Sequence, residues 1–163
     1  MKYHNITKDD MLNGDGLRVV FWVSGCEHAC TGCHNVCTWD ENSGLDYDEA
    51  VKAELFKQLE KDYISGITFT GGDPLFQANC QPICALAKEI KEKFPHKTQW
   101  LYTGDMWEDI QNWQGLLYID VLVDGPFVLA EKNATLHWRG SANQRVIDVK
   151  KSLRTAEIVL HNS

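Results

Sequence analysis

The chain has 163 residues, 44% hydrophobic and 24% charged, a globular composition that excludes a disordered tail, a collagen-like fibre and a membrane protein. With 16 Lys and Arg against 23 Asp and Glu, the formal charge of −7 offers no electrostatic footprint for nucleic acid or anionic lipid. The length also falls short of a complete eight-stranded βα barrel, which takes about 250 residues.

Met1-Lys2-Tyr3-His4-Asn5 starts no apolar signal segment, and no run approaches the roughly 18 apolar residues of a spanning helix, so a cytoplasmic protein is expected. Leu17 to Val23 is β-branched and aromatic, bounded by glycines, and reads as a buried strand. Asp46 to Asp62 reads as a helix with Ala50, Val51, Leu55 and Leu59 on one face. Gly66 to Thr70 is a short strand stopped by Gly71-Gly72-Asp73-Pro74, and Asn79 to Phe94 is a helix ended by Pro95. Thr98 to Tyr102 reads as the third strand, and Asp105 to Trp113 as a short helix capped by Asp105. Tyr118 to Val123 is a fourth strand, stopped by Asp124-Gly125-Pro126. Beyond it Trp138 to Ser141 reads as a loop, and Arg145 to Val149 and Glu157 to His161 as further strands. Strand and helix alternate from Leu17 to Val123, which predicts one α/β domain with a parallel sheet. The domain spans 1–163, with a core of about 14–147 and a tail over 148–163. The unusual loops all follow strands, and in parallel sheets ligands gather at the C-terminal strand ends.

Six cysteines, Cys26, Cys30, Cys33, Cys37, Cys80 and Cys84, are the compositional anomaly. Without a secretory signal they point to metal or redox chemistry and not to a disulfide framework. The first four step by 4, 3 and 4, which is also the spacing of a buried helical stripe, but Gly25 and Gly32 disfavour a helix there. Structural zinc prefers paired Cys-x2–4-Cys knuckles, and bacterial ferredoxins use Cys-x2-Cys-x2-Cys. Soft thiolates suit iron–sulfur clusters, while His28 and His34 leave a four-ligand zinc site open.

Cys26-Glu-His-Ala-Cys30-Thr-Gly-Cys33, with Gly71-Gly72-Asp73-Pro74 one strand and one helix later, resembles the radical S-adenosylmethionine superfamily. That family's signature is Cys-x3-Cys-x2-Cys followed by a Gly-Gly-Glu-like segment, here with Asp73 in place of Glu. The resemblance implies that Cys26, Cys30 and Cys33 hold one 4Fe–4S cluster and leave one iron open for S-adenosylmethionine. It implies that Gly71, Gly72 and Asp73 meet the methionyl amino group, and that Gly32, Cys33 and His34 run beside the adenine. Gly32 stands where many relatives carry an aromatic residue. Asn13-Gly14-Asp15-Gly16-Leu17-Arg18 and Cys33-His34-Asn35 resemble the glycyl-radical activating enzyme branch. Asp120 to Gly125 and Trp138 to Gln144 resemble its members that serve anaerobic ribonucleoside-triphosphate reductase.

The implied fold is a partial, open βα barrel with a parallel sheet of about five or six strands. The implied activity is oxidoreductase chemistry: reductive cleavage of S-adenosylmethionine to a 5′-deoxyadenosyl radical, which forms a glycyl radical on the large reductase subunit. The cofactor performs the hard step and the protein positions it. A low-potential donor, by family expectation a flavodoxin, supplies the electron. The missing strands would leave a lateral opening for the partner's glycine. The alternatives are activation of another glycyl-radical enzyme, of the pyruvate formate-lyase type, or a non-catalytic module in which Cys37 completes a four-cysteine iron–sulfur or zinc site.

Cys37, Cys80 and Cys84 otherwise read as small buried residues, the last two sharing a helix face. His4, His96, His137 and His161 lack ligand spacing. Tyr102 and Thr103 sit where a ligand contact and a packing role are equally expected, and Arg139 either meets a carboxylate or holds a loop. Trp22, Trp100 and Trp107 fit core or rim positions.

Overall fold

In the computed structural model, which describes residues 1–162, the apolar run after Leu17 forms β2 (Arg18–Val23), buried at every position but Trp22. It pairs in parallel with β4 (Gly66–Gly71), which pairs with β5 (Thr98–Tyr102), which pairs with β6 (Val121–Asp124). Helices return the chain between them: α1 (Glu49–Leu59) before β4, α2 (Cys80–Lys93) before β5, and α3 (Trp107–Ile110) before β6. Antiparallel strands flank this parallel core. These are β1 (Lys2–Asp10) on β2, β3 (Leu45–Asp46) on β1 and β7 (Arg145–Asp148) on β6. The sheet of seven runs β3-β1-β2-β4-β5-β6-β7 and its two edges do not pair with each other. It is an open sheet consistent with the partial barrel that the resemblance implied, with four parallel strands instead of five or six and antiparallel flanks that bring the total to seven.

Side chains alternate across each strand. Leu101 and Leu122 join the main core with Val19, Phe69, Leu55 and Ile83, under α1 and α2. Trp100, Val121 and Val123 point the other way and pack with Tyr102, Trp138 and Val146. Each fully buried Val, Leu, Ile or Phe contributes about 1.5–3 kcal/mol relative to its exposed state, so the helix-covered face dominates stability.

Several boundaries differ from the sequence reading. The Asp48 carboxylate accepts from Val51 N at 3.0 Å, so α1 starts at Glu49 instead of Asp46. Asp105 does not cap α3; the helix starts at Trp107, whose N–H donates to Asp124 Oδ2 at 2.8 Å. Gln114–Tyr118 coils as a 3-10 turn, which delays β6 to Val121. The expected strand at Glu157–His161 reduces to a bridge between Leu160 and Ile147, while Val149–Thr155 forms an unexpected helix, α4. Among the described residues no helix is long and apolar enough to cross a membrane.

Candidate functional site

The loops after β2, β4, β5 and β6 converge at the C-terminal edge of the parallel core. They enclose a cavity of about 150 Å³ lined by Cys26, Cys30 and Cys33, by Gly71, Gly72 and Asp73, and by Thr70, Tyr102, Thr103 and Gln144. A second cavity of about 330 Å³ adjoins it, sharing Cys33, Tyr102, Phe127 and Gln144 and adding His34, Asn35 and Arg139. Six of the expected cofactor and metal residues therefore share one wall, and His34 lies in the neighbouring space. Gly32 lines neither cavity. It sits exposed beside them at φ +80°, where a Cβ would come within 2.9 Å of Leu129.

Short backbone bonds bring the two principal loops together. Gly72 N donates to Val23 O at 2.8 Å and Asp73 N to Gly25 O at 2.7 Å, which staples the double-glycine turn to the start of the cysteine loop. The contact is so close that a Cβ on Gly72 would meet Gly25 O at 2.6 Å. The buried Asn79 amide seals the junction, donating to Ser24 O at 2.8 Å and to Asp73 O at 3.0 Å. Asn79 thus serves the turn instead of capping α2 through its side chain.

The three thiols are half-buried. Burial pushes the Cys26 thiol up to about 11, so metal loading there must release a proton. Cys37 is exposed on the 3-10 turn Val36–Thr38 and does not line the cavity, which corrects its expected burial. Cys80 and Cys84 are half-buried beside Trp113 and Tyr118 at a separate cavity, again not core residues.

A tetrahedral zinc with bonds of about 2.3 Å needs its sulfurs within about 4 Å of one another. Among the described residues the group of three ligand atoms gathered within 4.8 Å of one another is that of His28, Asp73 and Asp105, and no cysteine belongs to it. The three thiols line the cavity without forming such a compact group. His28 does not complete them: its Nε2 lies 2.8 Å from Asp73 Oδ2 and 3.4 Å from Asp105 Oδ1. The Asp73 hydrogen bond raises the His28 pKa above its ordinary value. The His34 ring is exposed and meets Phe127 edge-on at 6.3 Å.

Sequence reading did not single out Phe127 and Gln144. Phe127 follows the Asp124-Gly125-Pro126 turn after β6, whose strand-end position was the available signal. Gln144 comes from the far end of a long loop: its Oε1 accepts from Gly140 N at 2.9 Å, and its Nε2 donates to Gly125 O at 3.0 Å. Arg139 holds the same loop, donating to Ala142 O at 3.0 Å and Gln144 O at 2.7 Å.

Residues 12–147 match the family described as "4Fe-4S single cluster domain". The chain is 44% identical over 148 residues to the anaerobic ribonucleoside-triphosphate reductase-activating protein of Enterobacteria phage T4, covering 90% of this chain and 93% of that protein. The protein of the same name from Pasteurella multocida is 40% identical over 150 residues, with 88% and 95% covered. That of Escherichia coli K12 is 39% identical over 150 residues, with 90% and 97% covered.

Proposed function

This chain belongs to the 4Fe-4S single cluster domain family and to the anaerobic ribonucleoside-triphosphate reductase-activating proteins, and on that premise we propose that Cys26, Cys30 and Cys33 hold its cluster and that its substrate is a glycine of the reductase. When bound, the cluster would supply the electron for reductive cleavage of S-adenosylmethionine to methionine and an adenosyl fragment able to take a hydrogen atom from that glycine. The observation that carries the assignment is the three-thiol wall facing a double-glycine turn across one small cavity.

The donor set fits the group. Three thiols line the cavity, and the neighbouring Cys37 stands outside it, so one cluster iron is left without a protein thiolate. Gly71 sits at φ +112° and would drive a Cβ to within 2.6 Å of Val23 N, so only glycine lets the end of β4 lie this close to β2 at the cavity wall. The Gly72 and Asp73 N–H groups are already spent on Val23 O and Gly25 O. Asp73 O already accepts from Phe76 N and the Asn79 amide, so the Gly71 and Gly72 carbonyls are the main-chain acceptors assigned here to the amino group of S-adenosylmethionine. The larger space beside Cys33, His34 and Asn35 accommodates the adenosine. Tyr102 and Phe127 wall both spaces. The electron comes from a low-potential donor of the flavodoxin type.

Anaerobic reconstitution of single cysteine variants tests the ligand set. Cys26→Ala, Cys30→Ala and Cys33→Ala should lose the cluster absorbance, and Cys37→Ala should keep it. Equal loss in Cys37→Ala would mean a closed four-cysteine site. Mixing the reduced holoprotein and S-adenosylmethionine with the reductase, and separately with pyruvate formate-lyase, should give the glycyl doublet by electron paramagnetic resonance in the first alone. A doublet in pyruvate formate-lyase alone would overturn the substrate.

A further inference from the structure

We propose that His28 is a positioning residue, a latch that holds the cysteine loop against the ends of β4 and β5 through the Asp73 carboxylate. The proposal rests on the reading of this cavity as the cluster and S-adenosylmethionine site. It gives the Asp73 side chain a task other than touching the cofactor.

His28 lies between two proposed ligands, yet its ring nitrogen faces carboxylates: Nε2 is 2.8 Å from Asp73 Oδ2 and 3.4 Å from Asp105 Oδ1. The ring rests on Gly104, where a Cβ would come within 2.5 Å of it. Asp73 is 3% exposed and fully engaged. Oδ1 accepts from Leu75 N at 2.9 Å, the Thr103 hydroxyl reaches both oxygens at 2.9 and 3.0 Å, and Oδ2 accepts from Gly104 N at 3.0 Å. A carboxylate offers about four acceptor sites, and with His28 included four donors occupy them. The carboxylate has no vacancy for a cofactor group.

Of those four donors, Leu75, Thr103 and Gly104 belong to the loops after β4 and β5, and His28 alone belongs to the cysteine loop. The other ties to the double-glycine turn act at the start of that loop, through Ser24 O and Gly25 O. The stretch carrying Cys30 and Cys33 lies beyond them. It also contains Ala29 at φ +49°, a left-handed conformation that costs an L-residue about 1 kcal/mol or more and persists only when neighbours enforce it. The His28 contact supplies that enforcement in the middle of the ligand run.

The test uses the full-length protein in two states. In the metal-free chain, the amides of Cys26 and Cys33, bonded to Trp39 O and Cys30 O, are followed by hydrogen exchange. Losing a hydrogen bond to a charged partner should speed their exchange about tenfold or more in His28→Ala. His28→Gln keeps an N–H donor within reach of the carboxylate and should recover most of the protection. Gly104→Ala, which displaces the ring and leaves both polar partners in place, should reproduce the loss. In the anaerobically reconstituted protein, His28→Ala should keep its iron content and bind S-adenosylmethionine about tenfold more weakly, with rescue by His28→Gln. Wild-type exchange in His28→Ala would overturn the latch. Failure of His28→Gln to recover would also overturn it, because the imidazole itself would then be required. If the wild-type chain loads no iron, the proposed function fails, while the exchange comparison still judges the latch by itself.

Discussion

Replacing Arg18 with methionine tests what a buried guanidinium contributes when its hydrogen-bond partners are all neutral oxygens. The side chain opens β2, at the end of the sheet away from the cavity, and is 0% exposed. Nε donates to Thr68 Oγ1 at 2.9 Å, Nη1 to Asp15 O and Thr98 Oγ1 at 2.9 Å, and Nη2 to Ile67 O and Thr98 O at 2.8 Å. Burial lowers its pKa to about 10, which leaves it cationic at neutral pH. Methionine keeps the aliphatic stem and removes every donor. The bonds to Asp15 and Thr98 are only part-buried, so water can replace them, but those to Thr68 and Ile67 are buried. Two buried acceptors lose their donor, though the Thr68 hydroxyl keeps its own bond to Asn13 O at 2.7 Å, and such losses cost about 1–3 kcal/mol each. Relief from burying a cation works the other way, and we expect a net loss of about 3 kcal/mol. Urea unfolding of the metal-free chain should show a lower midpoint at unchanged slope, and the melting temperature should fall by about 6–12 °C. Iron content per folded chain should not change, because Arg18 does not line the cavity. A loss below about 1 kcal/mol would refute the reasoning, since it would mean that desolvation of the guanidinium consumes what its bonds contribute.

Arg145 joins two carboxylates in very different surroundings, the fully buried Asp124 and the exposed Glu108. Arg145→Met should cost about 3–5 kcal/mol in urea unfolding, because Asp124 would remain buried with its charge uncompensated. Glu108→Gln should cost under about 1 kcal/mol by the same measurement. Arg145 holds the Glu108 carboxyl below its usual range, so that small contribution is present at neutral pH and disappears as pH falls through the folded-state value. The Gln variant should therefore match the wild type in acid and trail it slightly at pH 7. Gly72→Ala would press a methyl to 2.6 Å from Gly25 O, backbone against backbone, forcing the double-glycine turn off the cysteine loop. Reconstitution should give markedly less iron per chain than in the wild type, and full loading would show that the two loops need not touch.

The elements legible in the sequence were those whose own composition decides them. Leu17 to Val23 is β-branched and aromatic because β2 is covered on both faces, and the turns after β4 and β6 announce themselves with glycine. β1 was not legible: Lys2–Asp10 is mostly polar, no residue in it is fully buried, and only antiparallel pairing with β2 makes it a strand. The Asp105 cap failed for a similar reason, since the acceptor that starts α3 arrives from β6, 17 residues away. At the site, ligand spacing was local and could be read, whereas the partners of Asp73 lie 30 to 45 residues off. Asp73 on its own resembles a turn residue, and its bond to Leu75 N fits that reading; His28 and Thr103 make it a junction between loops.

The length of the chain bears on where a macromolecular substrate can approach. A closed barrel would exclude a glycine carried by a large partner, and this sheet is open between β3 and β7. The gap does not run the full height of the sheet. Asp148 N donates to Val159 O at 2.8 Å and His161 N to Val146 O at 2.8 Å, so the C-terminal tail covers the lower part of β7. His161 and Trp138 also pack edge-on against Trp100, and both bond Asp15 beside Arg18. The foot of the inner face thus carries rings and charges, which gather around the tail. Tail pairing stops at Val146, one residue before Arg145 at the head of β7. The proposed approach is from the strand-end side, over the cysteine loop and the loop that carries Leu129, Arg139 and Gln144, where the two site cavities lie. The missing strands matter less as a side door than as the reason this rim is made of loops.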